Sequence, residues 1–66
     1  MHSKNWALIM MLLGHKVRNE YFTSDEYLHM VDGVITSEDG YNFENWFQDI
    51  GKGKEWKCNG WSVYNE

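Results

Sequence analysis

The sequence predicts an α+β fold: a small antiparallel sheet of three to five strands, one buried N-terminal helix and a short second helix. Three observations carry that expectation. Residues 6–13 (WALIMMLL) are a helix-length apolar run set between a serine and a glycine. Asp32-Gly33 separates two strand-like runs, the strongest short hairpin signal a sequence carries. Phe43, Trp46, Phe47 and Ile50 recur at i, i+3, i+4 and i+7, one face of a two-turn helix.

Taken in order, Ser3 is the expected N-cap of a helix over residues 4–13, and Gly14 is the glycine that stops it. Trp6, Met10 and Leu13 fall on one face of that helix, flanked by Ile9 and Leu12. The run is apolar nearly all round, so burial on more than one side is expected, the second cover being another subunit. Residues 15–22 alternate as a first strand, with Val17 inward and Lys16 and Arg18 outward. Thr23-Ser24-Asp25-Glu26 fits a capping box and makes one helical turn at most.

Residues 27–31 and 34–37 are the arms of the Asp32-Gly33 hairpin, with His29 on the exposed sheet face. Asp39-Gly40 marks a second turn. Asn42 should cap the second helix and Gly51 end it. Residues 51–54 (GKGK) read as the flexible stretch. Asn59-Gly60 then centres either a final hairpin, 55–58 with 61–64, or a loop leading into one closing strand, Trp61 to Tyr64. The Asn-Gly pair favours the hairpin, although Lys57 and Cys58 are poor strand formers.

Sixty-six residues make a single domain, 1–66, at a size where one core is only marginally stable. Cys58 is the only cysteine, so no intrachain disulfide can staple it, which suits a reducing compartment. The expected remedies are dense aromatic packing or a homo-oligomer. Four Trp, four Tyr and three Phe are more flat surface than so small an interior readily hides, so some should line an interface or a ligand site.

Charge and motifs narrow the function classes. The net charge of −4 and the lack of a basic run argue against a nucleic-acid backbone as partner. The acidic residues are scattered, which disfavours a nucleic-acid decoy. The apolar run is far shorter than the ~20 residues of a membrane span, and no small-x-small cleavage site follows it. A cytoplasmic protein is expected, with no membrane partner.

Catalytic constellations are weak. Cys58 with His15 or His29 would supply a nucleophile and a base, but a lone cysteine near a tryptophan-rich strand reads as a small packed hydrophobe. His2, His15, His29 and Cys58 lack the paired spacing of a structural metal site. Gly14-x-Lys16 lacks the Ser/Thr and glycine spacing of a phosphate loop. Neither enzymatic activity, a metal nor a cofactor is expected. Arg18 stands out instead, because a guanidinium binds phosphate bidentately and stacks on flat rings, and Phe22, Tyr27 and Trp61 are its candidate neighbours. Pairing with Glu20 or a cross-strand acid is the competing role for that arginine.

The order of motifs resembles a family of small phage proteins. The residues that carry the likeness are Trp6-Ala7, Leu12, Gly14-x-Lys16-Val17-Arg18-x-x-x-Phe22, Tyr27-Leu28, Asp32-Gly33-x-Ile35, Glu38-Asp39-Gly40 and a closing Trp61-Ser62-Val63-Tyr64. That family includes the second class of Thoeris anti-defence proteins. Three positions depart from its pattern. Phe22 stands where Trp is usual, Asn19 where a second basic residue follows Arg18, and Gly60 where an acidic residue precedes the closing Trp. The resemblance implies a phage-encoded, non-enzymatic counter-defence protein of the host cell cytoplasm. It would be a homo-oligomer that binds and sequesters a small cyclic nucleotide-type immune signal. Phe22, Tyr27 and Trp61 would then stack on bases while Lys16 and Arg18 neutralise phosphates. The alternative is an acidic inhibitor of a host enzyme or defence nuclease, acting through a protein–protein interface.

Overall fold

Capping decides where the first helix begins and ends. In the computed structural model, which describes residues 1–49 and 58–65, α1 spans Lys4–Leu12. The Ser3 hydroxyl accepts from the Trp6 N–H at 3.2 Å. At the other end Gly14 takes φ +95°, and the N–H groups of Gly14 and His15 donate to the carbonyls of Met11 and Met10. That pair of bonds is a Schellman stop, which requires the left-handed residue that glycine supplies at least cost.

The face α1 buries differs from the expected one. Ala7 and Met11 are its fully buried residues, with Trp6, Leu8 and Met10 packed partly against the core. The small Ala7 side chain lets the helix backbone approach the sheet closely. Ile9, Leu12 and Leu13 are 56%, 66% and 69% exposed, so within one chain the helix is covered on one side only.

The strands are β1 (Val17–Asn19), β2 (Leu28–Val31), β3 (Val34–Ser37) and β4 (Trp61–Val63), in one antiparallel sheet of order β3-β2-β1-β4. Asp32 (φ 51°) and Gly33 (φ 80°) are both left-handed, which gives the β2–β3 hairpin the type I′ turn expected of that pair. The first strand is shorter than residues 15–22 because Asn19 ends it. Its buried side chain accepts from the Tyr21 N–H, and its carbonyl accepts from the Phe22 N–H, so the chain turns away. Thr23 to Glu26 forms a turn closed in both directions, Thr23 N–H to the Glu26 carboxylate and Glu26 N–H to the Thr23 carbonyl.

The closing segment supplies one described strand, β4, which lies beside β1. Cys58 is not in a strand, and residues 55–57 of the expected first hairpin arm lie outside the described residues. The Asn19 Nδ2 donates to the Asn59 carbonyl at 3.0 Å, which pins the Asn59-Gly60 corner to the end of β1. Gly60 has φ +86°, and a Cβ there would collide with the Glu20 carboxylate. Asn19 and Gly60 therefore belong to one corner.

The second helix, α2, spans Glu44–Gln48. Its N-cap is Phe43 rather than Asn42, although the Asn42 side chain still accepts from the Glu44 N–H at 2.9 Å. Ile50, Gly51 and the 51–54 stretch lie outside the described residues. Residues 41–43 also cover the outer edge of β3, with Phe43 N–H donating to Ile35 and Ser37 N–H to Tyr41. His2 does the same for β4 through two bonds with Trp61. Both sheet edges are thus partly shielded from further pairing.

Glu44 ties α2 to the sheet. Its carboxylate accepts from the Gln48 amide (2.9 Å) and from the Ile35 N–H (3.2 Å). Those bonds, the Gln48 one foremost, hold its pKa below the ordinary 4.5, with burial opposing weakly. A lowered folded pKa contributes stability above the unfolded value that is lost as pH falls through the folded one. Glu44→Gln should therefore flatten the stability profile below about pH 4.5. Urea unfolding midpoints of both proteins across that range check this.

The core is Ala7, Met11, Val17, Leu28, Ile35, Phe47 and Trp61. Trp61 meets Phe47 (5.5 Å between centroids) and Phe22 (5.7 Å, near-perpendicular), so the centre of the fold is a cluster of edge-to-face rings. Both helices pack on the face bearing Val17, Leu28, Ile35 and Trp61. The opposite face carries no helix among the described residues.

Candidate binding face

Alternation puts Lys16, Arg18, Tyr27, His29, Ser62 and Tyr64 on the helix-free face. Val17 pairs with Leu28 and with Val63, all directed toward the core side, so their sequence neighbours point the other way. The contacts agree. The Lys16 ammonium lies 4.8 Å from the centroid of the Tyr27 ring. Tyr27 also meets Tyr64 at 4.8 Å and the edge of His29 at 5.3 Å. Of the three Lys and Arg among the described residues, Lys4, Lys16 and Arg18, two lie on this face of an otherwise acidic chain.

Arg18 sits over the strand pair β1–β4, opposite Ser62. Its Nη2 donates to the Phe22 carbonyl at 2.9 Å, which fixes the guanidinium plane. Its Nε is buried and has no hydrogen-bond partner. An unanswered buried donor on a guanidinium is costly. The arginine lines an open groove of about 460 Å³ together with Ser24, Ser62, Tyr64 and Asn65. Among the described residues, no acidic side chain lines that groove, and Arg18 forms no ion pair with Glu20.

The five residues expected to act together are divided by the sheet. Lys16, Arg18 and Tyr27 share the open face. Trp61 has no exposed surface and belongs to the core, so it offers no stacking platform. Phe22 is half-buried against Trp61 and Trp46 at the end of the sheet, where it supports Arg18 through its carbonyl rather than beside it as a second ring. Tyr64 is the ring that sequence reasoning missed. Its signal was available: it follows Trp61 by three residues in the expected closing strand 61–64, and alternation puts the two on opposite faces.

Among the described residues, no group of three or more His, Cys, Asp or Glu is placed to hold a metal ion. Cys58 is half-buried against the core. No described helix is long and apolar enough to cross a membrane. No protein-family model, curated protein or solved structure matches this chain.

Proposed function

We propose that this chain is a non-enzymatic binding protein whose helix-free sheet face captures a small anionic ligand carrying a flat ring. The observation that carries the reading is the Arg18 groove, with a fixed guanidinium, an unanswered Nε and hydroxyls from Ser24 and Ser62. An oxyanion would take the arginine and the hydroxyls, and a base would lie on Tyr27 or Tyr64. The groove volume falls within the ~300–1,000 Å³ of small-molecule sites. Joined to the motif resemblance, this favours a nucleotide-derived immune signal, sequestered by a phage-encoded counter-defence protein in the host cytoplasm.

The exposed stripe on α1 supports self-association as part of the same reading. Ile9, Leu12 and Leu13 stand at i, i+3 and i+4, a continuous apolar strip rather than scattered exposure. A second copy of α1 would cover it and relieve the marginal stability of so small a core. Leu12→Glu with Leu13→Glu is expected to reduce the assembly to monomers without unfolding them, since both positions are exposed. Native mass spectrometry of freshly purified protein tests both parts. An assembly that retains a ring-containing phosphate compound, released on heating, supports the proposal. A bare monomer counts against it.

The same stripe favours a second reading, inhibition of a host enzyme through a protein interface. A stoichiometric host protein recovered from lysate, with no retained small molecule, would favour that reading.

A further inference from the structure

A second cavity lies at the other side of Tyr27, and its chemistry is opposite to that of the Arg18 groove. The aromatic residues Phe22, Tyr27, Tyr41 and Phe43 line it together with the acids Glu26, Glu38 and Asp39. Its volume is about 120 Å³, well below the ~300 Å³ at which sites for drug-sized molecules begin. A nucleoside does not fit; a small head group does. Glu38 and Asp39 have no ion-pair partner among the described residues, so their negative charge is not neutralised internally. Aromatic faces attract cations through the ring quadrupole, and nearby carboxylates add to that attraction.

We infer that this cavity is a binding site for a small organic cation, an alkylated ammonium head group held by the rings of Tyr27, Tyr41 and Phe43 beneath the Glu38 and Asp39 carboxylates. The Tyr41 N–H donates to the buried Ser37 hydroxyl, and the Gly40 N–H donates to the Ser37 carbonyl. These bonds hold the 37–41 turn, and with it Tyr41, at the cavity mouth. Tyr41 is 68% exposed, so the residue is open to an incoming ligand. This site adjoins the anion-binding face through Tyr27, whose ring also meets the Lys16 ammonium, and it differs from that face in the charge of the ligand it would take.

Amide NMR titration with tetramethylammonium chloride tests the inference, with sodium chloride as the ionic-strength control and tert-butanol as an uncharged molecule of similar shape. Saturable shifts confined to residues 26–28 and 37–43 are expected with tetramethylammonium alone. Tyr41→Leu, which keeps apolar bulk and loses the quadrupole, should weaken binding about tenfold. Glu38→Gln should weaken it several-fold while leaving the core spectrum in place. Equal shifts with tert-butanol, no saturable shift, or undiminished affinity in Tyr41→Leu would each overturn the assignment.

Discussion

Trp61→Ala is expected to abolish cooperative folding. The indole is fully buried, meets Phe22 and Phe47 edge-on, and sits in the strand that closes the sheet beside β1. Truncating a buried aromatic costs about 3–5 kcal/mol, transfer and cavity terms together. A chain of this length has roughly 3–10 kcal/mol in total, so the loss consumes much or all of it. The cavity would open where both helices meet the sheet, leaving α1 without a surface to pack on. Urea titration followed by far-ultraviolet circular dichroism should show a broad, early transition or none. Trp61→Phe should retain a cooperative transition at a lower midpoint. An alanine variant within about 1 kcal/mol of the parent would show that Trp61 is not the centre of the core.

Arg18→Ala carries the second large effect, on binding rather than folding. A charge-assisted hydrogen bond to a ligand anion contributes about 1.5–3 kcal/mol, which is roughly tenfold to a hundredfold in affinity. The variant also loses the Nη2 bond to the Phe22 carbonyl, worth about 1 kcal/mol of stability. Folding should survive that loss, since Arg18 is outside the core cluster. Arg18→Lys keeps the charge but not the planar fork, so it should recover only part of the affinity. Calorimetric titration of the three proteins separates charge from geometry. Equal affinities across the series would remove Arg18 from the site.

Local chemistry made much of the fold legible. Ser3 and Gly14 bracket α1 to within a residue because capping is a short-range property, and Asp32-Gly33 fixes the β2–β3 register for the same reason. The face of α1 was not legible. In a run apolar all round, no periodicity distinguishes the Ala7–Met11 stripe from that of Trp6, Met10 and Leu13. The choice falls to the closest approach of backbone to sheet, a tertiary property. The placement of β4 beside β1 is likewise non-local, and it decides the fate of the aromatics. Composition counts rings without saying which are buried, so Trp61 read as a platform when the sheet needs it as a keystone. Arg18 and Tyr27 were legible because alternation around Val17 and Leu28 fixes their side. Ser24 reaches the groove from a turn and Asn65 from the segment after β4, placements that no local pattern specifies.

The account rests on the helix-free face being a capture surface. Isothermal titration of the folded protein against cyclic dinucleotides and cyclic ADP-ribose isomers tests it most directly. Saturable heat with at least one of them, lost in Arg18→Ala, is the predicted result. Absence of heat with every member of the panel, from protein shown to be folded and in its native assembly, would contradict it.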